Sequence, residues 1–222
     1  MPDSNHRDPR YIADESIHSL KLVRIYTHGK GRGPTVFNYS KNLRGRFDHH
    51  ISNNDESDEK RGIYYAAASF SPSSIELLHC CLAERFQGIA NIPQEIEYYA
   101  TQKHTPLRVA FCKPLKSMKI IDLRGDGPLN WNVPKDIILT SNRKLSQKWS
   151  RYLYENTDAD GILYPSFRMR NHLSARGLET NLSVFNSIAL YERAKKRLDL
   201  RKDDLLSNYL ADINEFIVKY LL

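Results

Sequence analysis

Cysteine is scarce in this chain and badly placed for cross-linking. The 222 residues hold Cys80, Cys81 and Cys112, an odd number with two adjacent members. That argues against a disulfide framework and for buried thiols. Long apolar runs are missing too, and none approaches the length needed to cross a bilayer. The start, Met1-Pro-Asp-Ser-Asn-His-Arg7, lacks the basic-then-apolar order of a secretory signal, so a cytoplasmic protein is expected. No Cys/His spacing reads as a zinc site, and no metal is expected. The glycine-rich stretch Gly29–Gly33 lacks the Gly-Lys-Ser/Thr ending of a phosphate loop. Helix-turn-helix, zinc-finger and aromatic RNA-platform motifs are also missing.

What is present is an ordinary globular composition, 41% hydrophobic and 27% charged, with a net charge of +7. A basic surface attracts phosphate groups without choosing among nucleic acid, a dinucleotide or an acidic protein. The cluster Arg193–Arg201 reads as a solvated helix face, and the pair His49-His50 as part of a solvated loop. Residues 1–20 read as a loose arm, and 21–222 as one domain. Short strands are expected at Leu22–Tyr26, Gly62–Ala67, Leu107–Phe111, Met118–Leu123, Ile162–Ser166 and Asn181–Leu190. Helices are expected after Ser71-Pro72, from Asn142 to about Asn156, and over Asp203–Leu222. Strands spread along the chain with few long helices point to an α+β domain.

Four segments stand out together: Val23-Arg24-Ile25, Gly45-Arg46-Phe47, Tyr65 with Glu76 eleven residues on, and Tyr164-Pro165-Ser166. Their order resembles the RES-domain family, named for its Arg, Glu and Ser. The resemblance runs over about residues 22–190 and includes Asn181-Leu-Ser-Val-Phe185. It implies an ADP-ribosyltransferase-like fold, a twisted and mostly antiparallel β core with flanking helices and an NAD cleft. It also implies an NAD-consuming toxin, with NAD as substrate, inorganic phosphate as a candidate acceptor and an acidic antitoxin as partner.

Under that resemblance Glu76 is the carboxylate that stabilises positive charge developing on the ribose. Arg24 and Arg46 grip the diphosphate through paired hydrogen bonds. Tyr65 offers a ring face to nicotinamide or ribose, and Ser166 holds the carboxamide or places the nucleophile. Each has a plainer alternative. Ser73-x-x-Glu76 has capping-box spacing. The arginines could serve ion pairs, Tyr65 the core and Pro165-Ser166 a turn. Arg24 lies in an apolar strand and needs a partner wherever it points.

Three departures from the family pattern matter. Asp48 stands where Asn is usual and would weaken the phosphate clamp with its charge. Residues 52–61 form an acidic insert, and Arg168–Gly177 carries three extra arginines. The expected reaction is cleavage of the nicotinamide–ribose bond by hydrolysis or phosphorolysis. ADP-ribosyl transfer to a macromolecule is the alternative, weakened for arginine acceptors because Ser74 stands two residues before Glu76. A non-enzymatic nucleic-acid binder is a distant third, so nucleic acid is a disfavoured partner, and no membrane partner is expected.

Overall fold

The computed structural model describes residues 11–12, 17–29, 32–39, 45–50, 61–70, 74–86, 106–115, 118–139, 142–169 and 185–221. The capping box at Ser73, residues 52–60 of the 52–61 insert and most of the 167–180 and 181–185 segments lie outside them.

Strands β1 (Lys21–Thr27), β2 (Ile63–Ser69), β3 (Leu107–Pro114), β4 (Ile120–Asp122), β5 (Gly161–Pro165), β6 (Asn186–Tyr191) and β7 (Leu198–Leu205) form one sheet. Its order is β4-β5-β6-β2-β1-β3-β7, and every pairing is antiparallel except the parallel β4–β5 pair. The fold is therefore α+β with a mostly antiparallel core, as expected. The interior strand β6 is buried at all six residues, which matches its uninterrupted Ile-Ala-Leu-Tyr run. The edge strand β7 is half-exposed and charged, with Arg201 paired to Asp199 and Lys202 to Asp204. Such charges discourage edge-to-edge pairing with another chain.

Helix α1 (Ser74–Arg85) lies across one sheet face, where Leu77, Leu78, Cys81 and Leu82 pack with Val23, Ile25 and Ala67. The short helix α2 (Gly127–Asn130) leads into Trp131, which with residues of the short α3 (Asp136–Leu139) and the longer α4 (Arg143–Asn156) joins a second cluster built on Phe47, Ile162, Tyr164 and Tyr191. Asn142 caps α4 by accepting from the Lys144 N–H at 3.1 Å, as its position implies.

Several expectations are revised. The 1–20 arm includes Ile17 and Leu20, both fully buried, and Tyr11 bridges to Ile121. Both side chains join the core cluster that holds Leu22 and Tyr64. The C-terminal helix α5 begins at Leu210, because Asp203–Leu205 complete β7 and Leu206–Tyr209 form a 3-10 turn. The Arg193–Arg201 cluster is not one solvated helix face. Arg193 donates to the carbonyls of Tyr154 and Thr157 and stacks on the Tyr154 ring at 4.0 Å, while Arg197 pairs with Asp160.

The His49-His50 pair is buried, not solvated. His49 sits between Tyr154 (4.4 Å) and Tyr191 (4.7 Å), with Glu192 at 3.6 Å and Arg61 donating to its carbonyl. Burial lowers its pKa below the ordinary 6.5, and Glu192 only partly opposes this. The unfolded chain takes up a proton in this range that the folded chain refuses. Stability is therefore full above the unfolded-state pKa and falls as pH drops below it, by up to about 1.4 kcal/mol per pH unit until the folded-state pKa is reached. Urea unfolding at about pH 7.5 and about pH 5.5 checks this. Wild type loses stability on acidification, and His49→Phe loses measurably less.

Candidate active site

A cleft of about 1340 Å³ opens beside β1, β2 and α1. It exceeds the ~300–1,000 Å³ typical of pockets for a single drug-sized ligand, so a dinucleotide has room. Among the described residues six arginines line it: Arg24, Arg32, Arg46, Arg85, Arg143 and Arg168. Among the described lining residues the acids are Asp48 and Glu84. The small side chains of Ala66, Ala67 and Cys81 leave the space open.

Arg24 finds the partner its apolar strand demanded. Its Nη1 donates to the Val36 carbonyl at 2.6 Å, and the guanidinium lies over the Tyr64 ring at 4.5 Å. Arg46 lies over Phe167 at 4.6 Å and donates to the Ile137 carbonyl at 3.2 Å. Burial lowers its pKa. Tyr164 and Glu84 pull it back up, and the like charges of Arg143 and Arg168 add to the lowering. An arginine nevertheless stays protonated in a protein. Arg46, Arg143 and Arg168 thus form a group of mutually repelling cations beside one carboxylate, an arrangement that a bound anion relieves.

Glu84 is that carboxylate. It stands in the last turn of α1, and its Oε1 accepts from Ser166 Oγ at 2.6 Å and from the Arg168 N–H at 3.4 Å. Ser166, buried at the end of β5, also accepts from the Met169 N–H at 3.3 Å. The serine hydroxyl proton is thereby committed to Glu84.

The Gly45-Arg46-Phe47 turn is held almost wholly by side chains. Gln147 Nε2 donates to the Gly45 carbonyl at 2.8 Å, and Ser150 Oγ donates to the Phe47 carbonyl at 2.6 Å. Both come from the buried polar face of α4. Tyr65 Oη accepts from the Phe47 N–H at 2.9 Å and donates to Asp48 Oδ1 at 2.8 Å. Burial, with Asp48 beside it, holds the Tyr65 pKa well above its usual range. A Cβ on residue 45 would lie 2.3 Å from Tyr65 Oη, so only glycine fits there.

The RES domain profile matches residues 21–203. The chain belongs to the RES-domain family. A relative, a probable toxin named y4kH from Sinorhizobium fredii, is 25% identical over 131 residues, covering 59% of this chain and 83% of that protein. A chain in the crystal structure of the M. tuberculosis MbcT–MbcA toxin–antitoxin complex shares the fold. Its TM-score is 0.56 at 12% identity, over 92% of this chain and 96% of that one.

In this RES domain the cleft brings together Arg24, Arg46 and Tyr65. Ser166 reaches it through Glu84. Glu76 is not among the lining residues. It sits half-buried in the first turn of α1, eight residues before Glu84. That separation is ~12 Å along the axis and roughly 80° around it. The eleven-residue count from Tyr65 therefore ends at the far end of the helix from the cleft. The sequence did carry a signal for Glu84. Leu77, Cys80, Cys81 and Glu84 share one helical stripe, and an acid closing an otherwise buried stripe needs a reason. Gln147 and Ser150 gave no signal, since polar residues on an amphipathic helix normally read as its wet face.

Among the described residues no group of three His, Cys, Asp or Glu is placed to hold a metal, and no helix is long and apolar enough to cross a membrane.

Proposed function

We propose that this RES domain is the toxin of a toxin–antitoxin pair and that it consumes NAD in the cytoplasm by cleaving the nicotinamide–ribose bond. The observation that carries the reading is Glu84, a carboxylate fixed by Ser166 and set in a cleft lined by six guanidiniums. NAD matches both parts. Its diphosphate needs cations, and its reacting ribose needs a fixed negative charge. As the C1′–N bond breaks, its electron pair passes to the nicotinamide nitrogen and cancels the ring's positive charge. The ribose becomes oxocarbenium-like, and Glu84 stabilises it. A water or phosphate oxygen then bonds to C1′, and any displaced proton leaves to solvent.

Glu84, rather than Glu76, is thus our candidate for the carboxylate. Ser166 holds that carboxylate rather than the substrate. Arg24 and Arg46 remain the candidates for the diphosphate, while Tyr65 serves the loop that carries Arg46. The cleft arginines beyond the two assigned to the diphosphate favour phosphate over water as acceptor. The excess of cleft arginines also suits an acidic antitoxin segment.

Product analysis after incubation with NAD, with and without inorganic phosphate, tests the reading. We expect free nicotinamide together with ADP-ribose, or with its 1″-phosphate when phosphate is present. Label from NAD on a protein or nucleic acid, with little free ADP-ribose, would instead support macromolecular transfer. Intact NAD in every sample would refute the proposal.

A further inference from the structure

The turn that carries Arg46 leaves one question about its chemistry, the identity of residue 48. The two main-chain groups of Gly45 and the two of Phe47 are each bonded to a side chain. Two of these four bonds depend on Asp48. Its Oδ2 accepts from the Gly45 N–H at 2.6 Å. Its Oδ1 takes the Tyr65 hydroxyl proton at 2.8 Å, which leaves the tyrosine oxygen to accept from the Phe47 N–H. Both groups facing residue 48 are therefore donors.

An ionised carboxylate accepts at both oxygens. A carboxamide accepts at one and donates at the other. Asparagine at position 48 would either aim an N–H at the Gly45 amide or, turned round, donate to the Tyr65 oxygen and leave the tyrosine proton without its acceptor. Rotation does not restore both bonds, because the carboxamide offers one accepting oxygen to two protons in a site where residue 48 is almost wholly buried. Nor can the turn slide, since Gly45 already sits hard against Tyr65 and Asp48.

We infer that Asp48 is a positioning residue for Arg46, acting through Gly45 and Tyr65, and that the turn requires the carboxylate rather than the family's usual amide. The sequence suggested the opposite, a negative charge that loosens the phosphate clamp. The structure instead spends both oxygens on holding the clamp's backbone. The inference rests on the reading of the cleft given above for its effect on rate, but not for its effect on Arg46 order.

The test pairs Asp48→Asn with Arg46→Ala. With NAD as substrate, Asp48→Asn lowers kcat/KM for nicotinamide release about 30-fold, in line with the sensitivity of catalysis to small misplacements. In the Arg46→Ala background the same change alters the residual rate less than about twofold, because the group it positions is gone. An equal loss in both backgrounds, or none in wild type, would overturn the inference. Order at the side chain is read separately, from the ¹H–¹⁵N nuclear Overhauser effect at Arg46 Nε. It falls in Asp48→Asn if Asp48 positions Arg46, and an unchanged value would overturn the inference even if the protein leaves NAD intact. If Asp48→Asn does not fold, Tyr65→Phe breaks the same relay, and the same two readouts decide.

Discussion

Glu84→Gln leaves the protein folded and slows nicotinamide release from NAD by about a thousandfold. Glu76→Gln stays close to the wild-type rate. The two substitutions sit on one helix and make the same chemical change, so their comparison removes helix propensity and net charge as explanations. Glutamine keeps the size of Glu84 and can still accept from Ser166 Oγ. What it loses is the negative charge available to the ribose as the C1′–N bond opens. Inside a cleft partly shielded from water that charge acts at low effective dielectric, where it stabilises a developing cation far more than it could at the surface. Steady-state rates for both variants, with circular dichroism to establish folding, check the pair.

Arg46→Ala lowers kcat/KM by about a hundredfold. Arg46→Lys recovers only part of that loss. The guanidinium is already oriented by the Ile137 carbonyl and the Phe167 face. These contacts hold the guanidinium in the cleft lining, where its planar fork matches phosphate oxygens. Lysine restores the charge but not the planar fork, and it cannot be steered by the same two partners. The loss should appear with NAD and also in the affinity for ADP-ribose, which lacks nicotinamide but keeps the diphosphate. A defect confined to the chemical step, with ADP-ribose bound as in wild type, would move Arg46 from phosphate binding to the acceptor side of the site.

The parts of the fold that were legible in the sequence are those where the apolar pattern has a short period and sharp ends. Leu22–Tyr26 and Gly62–Ala67 read as strands because β-rich runs end at polar or glycine-bearing turns, and β1 and β2 occupy those positions. The α4 start was legible because Asn142 caps it. The C-terminal boundary was not. Leu-Asp-Leu-Arg-Lys-Asp-Asp-Leu alternates too weakly to declare a strand, and its strand state is set by pairing with β3 rather than by its own pattern. The buried histidines were missed for a similar reason. Their burial depends on Tyr154, Tyr191 and Arg61, which no local window contains.

The candidate site divides the same way. Arg24, Arg46 and Tyr65 lie on short motifs with fixed local geometry, and all three reach the cleft. The acid depends on where a helix begins and which end of it faces the opening. Spacing from Tyr65 points to Glu76, while the helix axis carries the cleft to Glu84. Asp48 is the instructive case. A residue type judged alone as a misplaced charge is, in its three-dimensional setting, an acceptor for two donors.

Proton NMR of NAD mixed with a catalytic amount of the purified protein tests the central claim most directly. The account predicts that the nicotinamide ring signals convert to those of the free base while the adenine signals persist in an ADP-ribosyl product. A spectrum of intact NAD after prolonged incubation, with phosphate present and absent, would contradict it.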